Sequence, residues 1–475
     1  MTVRTRVAPS PTGDPHVGTL YQALFDYILA RQSNGQFVLR IEDTDRTRFV
    51  PGSEERVINA LKWAGLTYDE GPIRQSERLP LYKKHATELV KKGYAYYCFC
   101  TADRLDDVRK EQEKNHQPPK YDRFCRDLSA AASLLRVNQG EPYVIRLRIP
   151  GHETITVHDE LRGDLSFASD ILDYQVLLKS DGFPTYHLAV VVDDHDMGIT
   201  DAVRGEEWLP SSPKHNLLYR YFDWELPRWY HLPLLRNTDR SKLSKRKNNT
   251  SVDYYIKAGY LPEALLNFLL LSVWGREKGK ERFSLASAVA EFNINQISIA
   301  APIFDVTKLD WLNGEWIRSL SDDELTKRLQ EFYQGVVPEN LYKPEIISLT
   351  KERMKRLSDF AEVTKFLAEG LNFDPQLLIP KNRPAKEALD LLTSLTKVFS
   401  ELPSQQFTSS GIENIVRAEA EKKGLPAREA FMILRVAMTG STTSLPLNES
   451  MIILGRDEVL KRLNKAAGKL STDNS

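Results

Sequence analysis

Cysteine is scarce in this sequence: three in 475 residues, Cys98, Cys100 and Cys125, all within one short stretch. Three cannot build a disulfide framework, and their clustering fits a reducing compartment and a metal clip better than cross-links. An excess of either charge is also lacking, since 65 Lys and Arg residues meet 65 Asp and Glu residues. A uniformly basic nucleic-acid-coating protein is therefore excluded, and any such contact must come from a local patch. Long apolar runs are missing as well. The longest, in EALLNFLLLSVWG, falls well short of the ~20 residues a membrane span requires and reads as a buried helix. The first residues, MTVRTRV, place arginines in a strand pattern and contain no apolar h-region. No secretory leader and no membrane partner are expected, and the expected location is cytoplasmic.

What is present is enough chain for about three domains. Apolar and β-branched runs at 2–8 and 36–41 bracket a helix expected to begin near Leu20, which reads as a β-α-β unit with parallel strands. A further strand-like run, YHLAVVVDDHDMGIT at 186–200, predicts that the sheet resumes only there. The segment between, roughly 96–181, reads as an inserted α+β lobe with the polar helix RLDDVRKEQEKNHQ and the alternating strand YVIRLRIP. Beyond RSKLSKRKNNTS the pattern becomes helical, with Pro262 at a helix start and Gly275 past its end. Apolar residues at intervals of three and four then continue through PEIISLTKERMKRLSDFAEVTKFLAEG and PAREAFMILRVAMTG.

The stretch APSPTGDPHVGT is a strand, a tight Pro/Gly turn and a helix start, an arrangement whose open N–H groups and positive helix end suit phosphate. It contains neither G-x-x-x-x-G-K-[ST] nor G-x-G-x-x-G, so kinase and dehydrogenase readings lose their main support. Turns of this composition join elements everywhere. The specific part is PHVGT, where His16 offers an imidazole N–H and Gly18 leaves the helix start bare enough for a flat base to stack. Far downstream lies KLSKR, with Lys242 and Lys245 three apart, suited to holding pyrophosphate as charge develops in a transition state. Alone, that pentapeptide also reads as a solvated basic face. The pair is more specific than either member.

On these residues the sequence resembles the class I aminoacyl-tRNA synthetases, in the bacterial-type glutamyl branch. PHVGT is similar to the HIGH signature, with Thr19 in place of the second histidine; KLSKR is similar to KMSKS, with Leu243 and Arg246 as the departures. The resemblance spans nearly the whole chain and is strongest over 2–79 and 186–255. It implies an α/β fold: a Rossmann-like catalytic domain at 1–95 and 182–240 and an inserted connective, acceptor-binding lobe at 96–181. It further implies a KMSKS-loop and stem-contact domain at 241–320, then all-α anticodon-binding domains at 321–375 and 376–475. His16, Gly18, Thr19, Lys242 and Lys245 form the implied catalytic signature. ATP, with its Mg2+, would lie against Pro9, Thr12, Gly13, His16 and Gly18, with Glu207, Trp208, Leu235, Ser244 and Lys245 completing its site.

Glutamate has two carboxylates and one ammonium, so its pocket calls for arginine forks and one acid. By the resemblance, Arg6 and Arg204 meet the carboxylates and Glu42 the α-ammonium, with Ala8, Ser10 and Tyr186 as walls. Arg48 falls where the tRNA 3′ end arrives, and Lys365 and Arg435 near the anticodon. The implied partners are L-glutamate and tRNA(Glu), with tRNA(Gln) left open, no DNA, and a monomeric enzyme. The glutamate carboxylate attacks the α-phosphorus of ATP in line, and no general base is named. Zinc sites normally want four ligands. Tyr121 and Asp127 are the fourth candidates beside Cys98, Cys100 and Cys125, and related enzymes often carry histidine where Asp127 stands. A structural zinc and three metal-free thiols stay as alternatives. The competing readings are a catalytically idle tRNA-binding paralogue, a small-molecule nucleotidyltransferase and the truncated glutamyl-queuosine tRNA(Asp) synthetase. The last two do not account for the helical half.

Overall fold

The computed structural model describes residues 2–243, 249–277, 279–368 and 371–472. Ten strands are present among them: β1 (Arg4–Val7), β2 (Gln36–Ile41), β3 (Glu70–Arg74), β4 (Ala95–Cys98), β5 (Val144–Leu147), β6 (Thr154–Asp159), β7 (Gly163–Ala168), β8 (Val176–Leu178), β9 (Asp201–Gly205) and β10 (Arg228–Leu232). The runs that bury every side chain on the last three or more positions, β1 and β2, pair in parallel, as does β2 with β3. Burial on both faces is what parallel strands need. The connections are helical: α1 (Val17–Gln32) and α2 (Ser53–Trp63). On the other side of β1, the Thr200 N–H donates to the Arg4 carbonyl at 3.0 Å, which seats β9 beside it. From there the order runs β9, β10, β6, β7, with β9–β10 and β10–β6 parallel. Winding therefore reverses between β1 and β9, and doubly wound sheets bind ligands at such a reversal, outside the carboxyl ends of the strands.

Five further helices complete this half: α3 (Leu79–Lys91), α4 (Ala102–Lys114), α5 (Ala130–Asn138), α6 (Tyr186–Asp196) and α7 (Ser212–Phe222). Within 96–181, β4, β5 and β8 form a small antiparallel sheet, and α4 buries none of its residues, in keeping with its polar sequence. The β6–β7 hairpin of that same segment instead extends the main sheet through β10.

Two sequence expectations are corrected. The helix expected near Leu20 starts at Val17, because His16 caps it: the backbone there is extended and the side chain accepts the Gly18 N–H. The strand expected at 186–200 is helix α6, followed by β9 only at Asp201. Leu188, Ala189, Val190, Val191 and Val192 are all buried in it, so the run is apolar on every side and carries no helical stripe to betray its period.

Clustering of contacts divides the chain into two units, Met1–Ile256 with Pro262–Val306, and Lys257–Leu261 with Thr307–Ser475. The described residues of the second contain helices and no strand. Leu391, Leu395 and Phe399 of helix Ala385–Glu401 share one core with Ile412, Val416, Leu434 and Leu463 from three other helices. No described helix is long and apolar enough to cross a membrane.

Candidate active site

At the reversal point, the carboxyl ends of β1, β9 and β10 and the start of α1 enclose a cavity of 410 Å³. His16 forms one wall. Its Nδ1 accepts the Gly18 N–H at 2.9 Å, which leaves the proton of the neutral ring on Nε2 and fixes the imidazole over the helix start. A Cβ on Gly18 would stand 3.0 Å from that nitrogen, so a side chain there would press on the capping imidazole. Thr19, Pro9, Ala8 and Ser10 line the same cavity, and the positive end of α1 adds its dipole.

Lys242 lines it as well. The loop is anchored at the cavity on both sides of the undescribed stretch: the Leu243 N–H donates to the Leu235 carbonyl at 3.3 Å, and the Val17 N–H to the Thr250 carbonyl at 2.8 Å. Ser244 and Lys245 lie outside the described residues.

A set of buried charges lines the same cavity. Arg6 donates from Nε to Asp194 Oδ1 at 2.9 Å and from Nη1 to the Val203 carbonyl at 2.9 Å. Arg40 reaches the same Asp194 oxygen at 2.7 Å and Glu42 at 3.3 Å. Burial and Arg40 oppose the charge on Arg6, but Asp194 and Asp26 together outweigh them, and the guanidinium is raised above its ordinary value. Glu42 behaves differently. Burial pushes its carboxyl up to about 7 despite Arg40 and Arg6, so the site lacks enough positive charge to hold it fully ionised. Arg204 lines the cavity too, buried, with its guanidinium 4.3 Å over the Trp229 ring. Burial draws its pKa below the ordinary value, and Arg6 adds to that effect. Tyr186 stands against Trp208 with ring centroids 4.1 Å apart, closing the wall. The Glu207 carboxylate folds back over Gly205, where a Cβ would stand 2.0 Å from it, so a side chain there would have to displace that carboxylate.

The cavity thus gathers Arg6, Ala8, Pro9, Ser10, His16, Gly18 and Thr19 with Glu42, Tyr186, Arg204, Glu207, Trp208, Leu235 and Lys242. Two residues expected at the ATP site lie elsewhere. Thr12 and Gly13 do not line it, Gly13 instead donating its N–H to Ser53 Oγ at 3.0 Å. Arg48 is exposed and paired with Asp45 at 2.7 Å. Sequence reasoning missed Arg40, Asp194 and three histidines, His187, His215 and His231. Each is a common residue type in an ordinary context, and only the fold brings them to Arg204 and Arg6.

The thiols converge as expected. Cys98, Cys100 and Cys125 Sγ all lie within 4.8 Å of one another. The Tyr121 hydroxyl is 3.3 Å from Cys98 Sγ and 3.6 Å from Cys100 Sγ, whereas Asp127 is exposed and held by Arg126 at 2.9 Å. The hydrogen bond from Cys125 draws the Cys98 thiol down and pushes that of Cys125 up.

In the helical unit, Lys365 lines a second 410 Å³ cavity with Arg353, Glu362, Asn372 and Ser444. Arg435 does not line it, but donates to Ser444 Oγ and to the Leu445 carbonyl.

A doubly wound sheet, a capped helix over a charged pocket and a lysine loop anchored at its rim together define a class I synthetase catalytic domain. The model for the tRNA synthetases class I (E and Q) catalytic domain matches residues 2–311, and that for an anticodon binding domain residues 318–467. The glutamate–tRNA ligase of Thermus thermophilus is 45% identical over 477 residues, covering 98% of this chain and 99% of the relative. That of Ectopseudomonas mendocina is 44% identical, at 98% and 95% coverage. The crystal structure of a glutamate tRNA ligase from Elizabethkingia meningosepticum in complex with its amino acid superposes with a TM-score of 0.86 at 33% identity, over 99% of this chain and 100% of that one. The chain belongs to the glutamate–tRNA ligase family.

Proposed function

We propose that this protein joins L-glutamate to the 3′ end of tRNA(Glu) at the expense of ATP. The observation that carries the reading is one cavity lined both by a capped helix start with Lys242 and by Arg6, Arg204 and Glu42. Phosphates fit the first group of residues; an amino acid with a second carboxylate fits the second. The glutamate α-carboxylate attacks the α-phosphorus of ATP in line, pyrophosphate leaves, and the terminal ribose hydroxyl of the tRNA then takes the glutamyl group from AMP. His16, Gly18 and Thr19 support the nucleotide phosphates, and Lys242 with Lys245 holds the departing pyrophosphate. Glu207, Trp208 and Leu235 border the ribose and adenine. Mg2+ accompanies the ATP. Positioning and charge stabilisation suffice, without a protein general base. Glutamate-dependent ATP–pyrophosphate exchange by the purified chain, with and without tRNA(Glu), tests the activation step. No exchange under either condition would contradict it.

Glu42 gives the reaction a pH dependence. Its carboxyl must lose a proton to receive the substrate ammonium, and burial holds it near about 7. The KM for glutamate is therefore expected to rise as pH falls from 8 to 6, approaching about tenfold per pH unit below that value. Glu42→Gln should bind glutamate weakly and without this slope. Equal slopes in wild type and variant would contradict the role.

The thiol cluster with Tyr121 matches a four-ligand structural zinc site, the phenolate oxygen being the fourth donor. Asp127 is committed to Arg126 instead. Purified protein is expected to carry one zinc per chain by elemental analysis, and Cys125→Ser to lose it and melt at lower temperature with the activation step largely kept. Metal-free wild-type protein with three titratable thiols would contradict the site.

The helical unit serves tRNA binding, with the cavity at Lys365 and Arg353 as its anticodon-facing surface and Arg435 as internal support. The exposed Arg48 is placed at the arriving tRNA end. We assign a monomer acting in the cytoplasm. The catalytic domain is taken as 1–95 and 182–240, the acceptor lobe as 96–181, the stem-contact region as 241–320, and the anticodon domains as 321–375 and 376–475. Direct charging of tRNA(Gln) decides whether that tRNA is a second substrate.

A further inference from the structure

The two arginines of the glutamate pocket differ in what surrounds them. Arg6 is already neutralised: its Nε meets Asp194, which Arg40 shares. Arg204 forms no ion pair with any carboxylate among the described residues, although it is buried. Its fork is filled by neutral acceptors instead. Nε donates to His231 Nε2 at 2.9 Å, Nη1 to His215 Nδ1 at 2.9 Å and Nη2 to Ser212 Oγ at 2.9 Å.

Behind these, each imidazole is held in the tautomer that accepts. The Nδ1–H of His231 donates to Asp159 Oδ2 at 2.7 Å, and the same oxygen takes the His231 backbone N–H at 3.0 Å. His215 Nε2 is 3.0 Å from His187 Nδ1, to which it donates. Burial keeps all three rings neutral: His231 is drawn down to about 4, His187 to about 3, and His215 well below the usual range. Asp194, whose charge reaches Arg204, and its neighbour Asp193 are occupied by Gln75, Tyr82, Arg78, Arg6 and Arg40.

A buried cation is normally neutralised by a carboxylate, because desolvating a lone charge is costly. Here β10 and α7 supply the hydrogen bonds that fix the orientation of the guanidinium, backed by Asp159 of β6 and His187 of α6, and withhold the counter-charge.

We propose that His215 and His231, with Asp159 behind His231, are positioning residues that keep Arg204 uncompensated, so that its charge is completed only by a substrate whose side chain is a carboxylate. Selection of glutamate over glutamine then resides in the neutrality of these partners as much as in Arg204 itself. A carboxamide fills the same space but leaves the buried charge unpaired. This inference rests on the reading of the pocket as a glutamate site.

The test uses two substitutions of nearly one shape and different charge. Asn and Asp both place a side-chain oxygen close to where Nδ1 of His215 lies, but only Asp brings a counter-charge to Arg204. Full-length wild type, His215→Asn and His215→Asp are compared in ATP–pyrophosphate exchange with tRNA(Glu) present, using glutamate and glutamine as alternative amino acids. Thermal melting is measured on each.

His215→Asp is expected to lower kcat/KM for glutamate by about a hundredfold, chiefly through KM, and to reduce the glutamate-to-glutamine ratio at least tenfold; His215→Asn is expected to keep that ratio within about threefold of wild type. Equal losses in the two variants, or an unchanged ratio in His215→Asp, would overturn the proposal and leave a purely structural role. If His215→Asp shows no cooperative melt, His231→Leu and His231→Gln decide in its place. Leu removes the acceptor that orients Arg204 and should raise the glutamate KM at least tenfold without moving that for ATP, and Gln should restore most of it. Equal glutamate KM in those two variants would overturn it as well. Wild-type protein that activates neither amino acid would instead overturn the glutamate reading on which the proposal stands.

Discussion

Replacing Arg204 with leucine is expected to lower kcat/KM for glutamate by about a thousandfold, since removing one member of a desolvated charge pair costs about 2–5 kcal/mol. Most of the loss should fall on the KM for glutamate, with the KM for ATP nearly unchanged, because the hydrogen-bond partners of Arg204 are His231, His215 and Ser212, none of them in the capped helix or the lysine loop. Arg204→Lys should recover little. An ammonium cannot donate at once to His231, His215, Ser212 and a substrate carboxylate, as the planar fork can. Steady-state exchange kinetics with glutamate varied at saturating ATP read the result. A Leu variant within threefold of wild type would remove Arg204 from the binding site.

Lys245→Ala is expected to cut glutamyl-adenylate formation by about a hundredfold while leaving tRNA binding nearly intact, the effect of losing one charge contact made chiefly in the transition state. Lys245 itself lies outside the described residues, but the loop that carries it is tied to the cavity by Leu243 before it and Thr250 after it. Single-turnover adenylate formation and tRNA binding by filter retention separate the two quantities. Wild-type rates in the variant would contradict the role of the loop.

Much of this was legible in the sequence, for reasons that are themselves physical. A histidine cap, a glycine two residues on and a lysine loop must be short-range patterns, because each acts through backbone that is contiguous; PHVGT and KLSKR are therefore visible as strings. The helical second half was legible from its apolar period, since each helix buries one face, as helix Ala427–Thr439 does with Ala430, Ile433, Leu434 and Val436. Helix α6 was misread because it buries all its faces, and a run of valines without a polar side looks the same in a strand. The surroundings of Arg204 were invisible for a different reason. Asp159, His215 and His231 come from β6, α7 and β10, and no local spacing links them. Nothing in a single histidine announces that its task is to stay neutral beside an arginine. The fourth donor of the proposed zinc site was narrowed by geometry alone: Tyr121 and Asp127 are close in sequence, but only the tyrosine hydroxyl stands among the thiols.

The central claim is that this chain charges tRNA(Glu) with glutamate. It is tested most directly by incubating the purified protein with ATP, Mg2+ and labelled glutamate, supplied separately with tRNA(Glu), tRNA(Gln) and tRNA(Asp), and counting acid-precipitable label. The expected result is ATP-dependent charging of tRNA(Glu), with the tRNA(Gln) reaction deciding how strictly the anticodon is read. Label on none of the three, or on tRNA(Asp) alone, would contradict the account.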